Sequence, residues 1–171
     1  LDVKAPALPV MAQAQVDHSD GKKSTELLHF AVSMASANVQ SLYRGPIGHA
    51  GKLHYLQEQM RFFKFNIMAI QEARSDMGMS QNNGILRLCS GHQGGQGGIE
   101  VWIDLQLPFA TNNQQKSRCF KRSHFQVVCS DHRRMIVRCD AGSWSFWLVA
   151  LHAPHSGYSL TDRREWWDYT K

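Results

Sequence analysis

The chain has 171 residues, 43% of them hydrophobic, which suits one domain with a buried core. It contains no apolar run of the ~18 residues that a membrane span needs, and its first residues do not have the pattern of a signal peptide. The net charge of +5 slightly favours a polyanionic partner, although an ordinary solvated surface can carry the same excess. Four cysteines without Cys-x-x-Cys spacing argue against a zinc site and predict a reducing, intracellular compartment, with the nucleus as one option.

The first half of the chain predicts a strand–helix–strand unit. Residues 1–26 have no hydrophobic periodicity, which predicts a tail or linker before a domain at 27–171. A strand-like pattern begins at Leu28 and continues to Asn38. Apolar residues then recur at spacings of three and four over residues 52–65, which is typical of an amphipathic helix. A second apolar strand follows directly, so the ends of both strands are expected at one edge of a sheet.

The next segments favour antiparallel strands. Residues 84–89 are strand-like, and residues 98–105 alternate apolar with polar side chains, which predicts a half-buried strand. Residues 111–122 are polar and are expected to form a loop. Two short apolar runs, at 125–128 and 135–138, predict a hairpin across a charged turn.

The last segments predict a strand and a helix. Residues 144–151 are apolar on both faces, as in a central strand covered on both sides. Ser159, with Asp162 three residues later, has the pattern of a helix N-cap. In that helix Trp166 and Trp167 are expected to pack on the sheet.

Three of the predicted strands each end in a polar side chain able to take part in chemistry: Asn38, Glu72 and His152. Phosphodiester hydrolysis needs a hard cation, and Mg²⁺ is typically held by one or two carboxylates together with water. A histidine can donate a proton to a phosphoryl oxygen near neutral pH. Taken singly, each residue also has a purely structural explanation. Asn38 can be a turn asparagine, Glu72 a surface carboxylate and His152 a hydrogen-bonded strand-end histidine.

The order of these three strand-end motifs resembles that of the endonuclease/exonuclease/phosphatase superfamily, and the resemblance runs from Leu28 to the end of the chain. That superfamily includes abasic-site endonucleases, pancreatic-type deoxyribonucleases, endonuclease domains of non-LTR retrotransposons, sphingomyelinases and inositol-polyphosphate phosphatases. Asn38 matches the Asn of its strand-x-Asn-Val-x-x-Leu stretch, and Glu72 matches the Glu of its Leu-x-Gln-Glu strand end. Residues 94–99 match a glycine-rich stretch, and His152 matches the residue before x-Pro.

The resemblance implies an α/β fold, a deoxyribonuclease-like two-layer β-sandwich flanked by helices and incomplete at the C-terminus. It implies that Glu72 is the principal Mg²⁺ ligand and that Asn38 helps to hold the metal-bound site together. It implies that His152 donates a proton or hydrogen bond to the phosphate. His155 is a weaker candidate for contacting the substrate phosphate, because abasic-site enzymes place an Asn there.

The chain departs from the family pattern in its acidic motifs. Ser130-Asp131-His132 spells the tripeptide of the family's final Asp-His pair, but it precedes the His152 strand and is interpreted as a coincidence. The family's Asp-x-Asn segment and a later Asp-His pair are absent. Because the chain starts at Leu1 and ends at Lys171 within a predicted helix, a fragment that is inactive alone is expected.

The resulting hypothesis is Mg²⁺-dependent phosphodiester hydrolysis by a DNA endonuclease of retroelement type, with a reverse-transcriptase region downstream in the full-length protein. One alternative is a phosphodiesterase or phosphatase acting on phosphoinositide or sphingomyelin, and another is a non-catalytic remnant that binds nucleic acid. Basic residues in the middle of the chain are suited to phosphate contacts, and equally to a solvated loop face; they are Lys116, Arg118, Lys121, Arg122, Arg133 and Arg134.

Overall fold

The structure, a computed structural model, describes residues 28–42, 50–142 and 144–170, so the predicted tail at 1–26 lies outside the described residues. The elements, in chain order, are β1 (Leu28–Phe30), β2 (Met34–Asn38), α1 (Ala50–Phe62), β3 (Ile67–Gln71), β4 (Gly78–Asn82), β5 (Ile85–Cys89), β6 (Ile99–Asp104), β7 (Pro108–Asn112), β8 (Ser117–Cys119), a 3₁₀ turn (Arg122–His124), β9 (Phe125–Asp131), β10 (Arg134–Asp140), β11 (Ser145–Leu151) and α2 (Leu160–Thr170). None of the helices in these ranges is long and apolar enough to cross a membrane.

The strand–helix–strand prediction is confirmed. Strands β2 and β3 pair in parallel, from Met34 opposite Ile67 to Asn38 opposite Gln71, and α1 lies between them in the chain. Parallel neighbours need such a crossover connection. The remaining strands pair antiparallel and complete a five-stranded sheet in the order β2-β3-β6-β5-β4.

The central strands of this sheet, β3, β5 and β6, are buried on both faces. On one face, alternate residues such as Ile67 and Val101 pack into a core shared with two three-stranded sheets, β1-β7-β8 and β11-β10-β9. On the other face, Met68 and Trp102 pack against Met60 of α1. Each such buried side chain contributes about 1.5–3 kcal/mol. The expected α/β architecture, a two-layer β-sandwich flanked by helices, is confirmed, with α1 packed on its outer face.

The predicted half-burial of residues 98–105 is wrong, because all six residues of β6 are buried. Its polar side faces the α1 layer rather than solvent. Glu100 accepts two hydrogen bonds from the Arg87 guanidinium, at 2.7 and 2.9 Å, and one from Trp102 Nε1. A carboxylate that is paired and hydrogen-bonded in this way can be buried.

Two other boundaries differ from the sequence prediction. The expected continuous strand from Leu28 to Asn38 is broken, since β1 pairs with β7 while β2 joins the five-stranded sheet. Phe30 packs against Phe109 and Trp144 in one core, and Ala37 lies in the other, so the chain changes layers between them. The predicted loop at 111–122 contains β8 and the end of β7, and β4, fully exposed, was not predicted.

The hairpin of β9 and β10 is confirmed, but β11 is not a central strand among the described residues. It pairs only with β10 there, and Trp147 and Val149 on its outer face are 60% and 54% exposed.

The predicted cap of α2 is confirmed, because the Asp162 amide donates to Ser159 Oγ at 3.0 Å. The predicted core packing of this tryptophan pair is wrong, since Trp166 is only partly buried and Trp167 is 50% exposed. Apolar composition alone does not show whether a covering layer is present.

Candidate functional site

The three strand-end residues meet at one edge of the sandwich. Asn38 and Glu72 come together because β2 and β3 run parallel and end side by side. Asn38 Nδ2 donates to Glu72 Oε1 at 2.9 Å. His152 follows β11 in the other layer, and its Nε2 lies 3.4 Å from the same Glu72 oxygen. The structure therefore brings all three predicted side chains together around one carboxylate.

The backbone around this carboxylate is strained. Glu72 has φ of +56°, and Arg74, Gln40 and Ser41 also have positive φ, at +55°, +51° and +108°. Side-chain-bearing residues rarely adopt this region, at a cost of roughly 1–3 kcal/mol each. These four are the majority of the seven non-glycine residues with positive φ in the described ranges. Such a concentration of strain at two adjacent strand ends is typical of a functional site.

The glycine-rich loop holds the Glu72 strand end in place. The amides of Ala73 and Arg74 donate to the carbonyl oxygens of Gly98 and Gly97, at 3.0 and 3.1 Å. Gly97 must be glycine here, because a Cβ would lie 2.7 Å from the carbonyl oxygen of His132. The loop thereby joins the Glu72 strand end to the β9–β10 turn.

The donor set suits a hard cation better than zinc. Glu72 Oε1 accepts the hydrogen bond from Asn38, while Oε2 lies 4.0 Å from the Arg74 guanidinium, and the Glu72 side chain is 25% exposed. Across the described residues, no group of three or more His, Cys, Asp or Glu side chains converges to hold a metal. One carboxylate with water in the other positions fits Mg²⁺, whereas zinc sites use three or four protein ligands.

Asn38 is placed to orient Glu72. Its Oδ1 accepts the Gln40 amide at 3.3 Å, and its Nδ2 is directed at the carboxylate. The oxygen and nitrogen of an amide are assigned from this hydrogen-bond network. In this arrangement the asparagine supplies a donor to the carboxylate rather than an oxygen to a cation.

His152 is partly buried, and its surroundings favour the neutral form of the imidazole by lowering its pKa. Burial lowers its pKa below the ordinary value, Glu72 opposes this, and Arg133 lowers the pKa further. Its Nδ1 is buried and has no hydrogen-bond partner among the described residues. A neutral imidazole whose Nε2 is directed toward a carboxylate is expected to carry its proton on Nε2. His152 can therefore donate a hydrogen bond into the site without adding a full charge.

Arg133 holds the loop that carries His152, a role that its charge alone did not reveal in the sequence. Its carbonyl oxygen accepts the His152 amide at 2.9 Å, and its Nη2 donates to Tyr158 Oη at 2.7 Å. The guanidinium also lies 5.0 Å from the centre of the Tyr158 ring. His155 lies in this loop, exposed, with its Nδ1 accepting the Gly157 amide at 3.0 Å.

The Ser130-Asp131-His132 tripeptide has a structural role in the β9–β10 turn. Asp131 accepts the Arg133 amide and the Arg134 guanidinium, both at 2.7 Å. The carbonyl oxygen of His132 accepts the Gly98 amide at 2.7 Å. These contacts account for the tripeptide without a catalytic role.

Sequence reasoning also missed Arg74 as a site residue. Its Nη2 lies 4.0 Å from Glu72 Oε2, and its side chain lines a cavity beside the carboxylate. Its position two residues after Glu72, at the end of the same strand, was the available signal.

Neither the known family models nor the curated proteins match this chain. Among solved structures, it is similar to the crystal structure of the AP endonuclease LMAP from Leishmania major, with 15% sequence identity and a TM-score of 0.49. The similarity covers 90% of this chain and 48% of that chain, so this chain spans about half the length of that structure.

Proposed function

We propose that this edge is a Mg²⁺-dependent phosphodiester hydrolysis site and that its substrate is DNA. The observation that carries the proposal is the convergence of Asn38 and His152 on Glu72, at 2.9 and 3.4 Å. The Glu72 carboxylate thereby accepts a hydrogen bond from Asn38 and is faced by the His152 ring, at a partly exposed edge. The retroelement type is proposed on the sequence resemblance alone.

The residues of the chain have separate roles in this proposal. Glu72 would hold the cation, which supplies charge neutralisation at the phosphoryl oxygens. Asn38 keeps the Glu72 carboxylate in one orientation through the hydrogen bond to Oε1. His152 Nε2 offers a hydrogen bond to the leaving or phosphoryl oxygen, and burial favours the neutral form of the ring in this role.

DNA is the favoured substrate because the surroundings of the carboxylate are basic. Arg74 lies beside Glu72, and Arg133 holds the loop of His152. The whole chain carries a net charge of +5. Neutralising phosphates with Arg and Lys dominates protein affinity for DNA.

Binding of a short fluorescein-labelled DNA duplex, measured by anisotropy with EDTA and with Mg²⁺, tests the proposal. Mg²⁺ should increase the affinity of the natural chain, because a cation held by Glu72 would offset the repulsion between this carboxylate and the DNA phosphates. Glu72→Gln should abolish this increase and bind DNA at least as well as the natural chain in EDTA, since a negative charge is removed. Glu165→Gln, on the exposed face of α2, is the matched control and should keep the increase.

The proposal would be contradicted if Mg²⁺ did not change the DNA affinity of the natural chain. It would also be contradicted if Glu72→Gln and Glu165→Gln lost the Mg²⁺-dependent increase equally. Displacement of the DNA by equimolar inositol trisphosphate would instead favour the alternative substrate class. Calorimetry should show weak Mg²⁺ uptake without DNA, because the described residues place a single carboxylate here.

A further inference from the structure

We infer that the cavity beside Glu72 binds a second phosphate group, one that neighbours the phosphodiester at Glu72 on the same DNA strand. This inference rests on the proposed function. The cavity, here called the Arg74 pocket, is lined by Ser41, Arg74, His92 and Gly95 and has a volume of about 320 Å³. It lies between the Glu72 strand end and the glycine-rich loop.

Arg74 provides the charge of this pocket, and one of its donors lacks an acceptor. Its backbone is fixed by the hydrogen bond to the carbonyl oxygen of Gly97. Its Nε is buried and has no hydrogen-bond partner among the described residues. A buried donor without an acceptor is unfavourable, and an anion in the pocket would supply the acceptor. The planar guanidinium matches phosphate through two parallel hydrogen bonds.

His92 adds a second donor at the wall of the pocket. Its Nδ1 accepts the Gly95 amide at 3.1 Å, so a neutral ring carries its proton on Nε2. The nearest carboxylate to Nε2 is that of Asp76, at 3.8 Å, and this side chain is fully exposed. The loop leaves room for a ligand, because a Cβ at Gly94 or Gly95 would meet no atom within 4 Å.

A neighbouring cavity has a different charge from the Arg74 pocket. That cavity, of about 440 Å³, shares His92 but is lined by Asp76 and Asp131. Two carboxylates disfavour an anion there, whereas the Arg74 pocket has an arginine in their place. The 4.0 Å separation of Arg74 Nη2 from Glu72 Oε2 places the pocket directly beside the carboxylate. A strand whose scissile phosphate lies at Glu72 can therefore place an adjacent phosphate on Arg74.

The test is the salt dependence of binding to a fluorescein-labelled single-stranded DNA oligonucleotide in EDTA, where no metal-dependent step takes place. Arg74→Gly removes the side chain and suits the positive φ of this position. Lys64→Gly is the matched control, because Lys64 also has φ of +55°, is exposed and carries the same charge. Arg74→Lys keeps the charge but loses the planar donor pair.

We expect Arg74→Gly to weaken binding about tenfold, as for loss of a charge-assisted hydrogen bond, and to reduce the slope of log K against log salt by about 1. Arg74→Lys should retain the slope and recover part of the affinity. Lys64→Gly should match the natural chain in both quantities. Equal affinity and slope for Arg74→Gly and the natural chain, or equal losses for Arg74→Gly and Lys64→Gly, would overturn the inference.

The Mg²⁺ titration of the duplex separates this inference from the proposed function. Arg74→Gly could lose affinity in EDTA while Mg²⁺ leaves the affinity of the natural chain unchanged. That result would refute the metal site and support the Arg74 pocket as a binding site for a DNA phosphate. A Mg²⁺-dependent increase that Glu72→Gln abolishes, with Arg74→Gly unchanged in EDTA, would refute the pocket alone.

Discussion

His152 Nε2 and Asn38 Nδ2 approach the same oxygen of Glu72, at 3.4 and 2.9 Å, and leave the second carboxylate oxygen to the Arg74 side. The His152 side chain comes from the second layer of the sandwich, whereas Asn38 comes from the strand next to Glu72. Asn38 donates a hydrogen bond to this oxygen, whereas burial favours the neutral form of the His152 ring that faces it. The Oε2 atom of Glu72 is therefore the oxygen that neither Asn38 nor His152 approaches.

The 171-residue chain by itself is predicted not to nick supercoiled plasmid above background in Mg²⁺. The carboxylate at the site is that of Glu72, and across the described residues no group of three or more His, Cys, Asp or Glu side chains converges. Removing a general base typically costs ~10²–10⁴-fold in rate. Gel assays of the natural chain and of His152→Ala give the measurement. Efficient nicking that His152→Ala abolishes would contradict this prediction and would make Asp131 and His132 candidates for the missing group.

Arg87→Ala is predicted to lower the free energy of unfolding by about 3–5 kcal/mol, because it leaves the buried Glu100 carboxylate without its partner. Urea denaturation followed by circular dichroism gives the value. Arg138→Ala is the control, since the ion pair of Arg138 with Asp140 is half-exposed and should contribute less than about 1 kcal/mol. Equal losses in the two variants would show that burial of Glu100 is not the cause.

Cys129 is predicted to react with a thiol reagent at pH 8 well before Cys89 and Cys139. Burial raises the pKa of the Cys89 thiol to about 12 and that of Cys139 to about 12, so almost no thiolate is present. Cys129 is exposed. Mass spectrometry of partly labelled protein gives the order of modification, and Cys129→Ser should remove the fastest phase. Early labelling of Cys139 would mean that the core opens readily.

Asp131 is predicted to contribute stability at neutral pH that is lost in acid. Burial would raise the pKa of Asp131, but hydrogen bonds from the Arg133 amide and the Arg134 guanidinium lower it below the ordinary value. The folded pKa is thus below the unfolded value of about 3.9. The contribution is fully present above the unfolded pKa and disappears as pH falls through the folded pKa.

Unfolding free energies of the natural chain and of Asp131→Asn, measured from pH 7 to pH 3, test this linkage. The natural chain should be more stable at pH 7, and the difference should shrink toward pH 3. Asp76→Asn serves as the control, because that side chain is fully exposed. A difference that stays constant with pH would rule out the proposed titration of Asp131.

Local patterns were sufficient for several elements. Spacings of three and four predicted α1, although the helix begins at Ala50 and ends at Phe62 rather than covering residues 52–65. The Ser159 cap and the hairpin turn at 131–134 were predictable because their hydrogen bonds join residues close in sequence. Short-range patterns of apolar residues likewise predicted that Asn38, Glu72 and His152 lie at strand ends.

Burial on the second face of a strand depended on the tertiary structure. Glu100 looked like a solvent-facing residue, yet it lies in the layer beneath α1, paired with Arg87. Trp147 looked like a core residue, yet it faces outward on β11. Alternation along a strand distinguishes its two faces but does not show what covers each face.

The sequence by itself determined which polar residues end the apolar strands, because that depends on neighbours in the chain. Only the tertiary structure decided that His152 meets Glu72, since β3 and β11 lie in different sheets that come together through the shared core. The same holds for Arg74 and Arg133, whose contacts join distant loops. Composition shows that these residues are basic, and only the folded chain shows which atoms their charges approach.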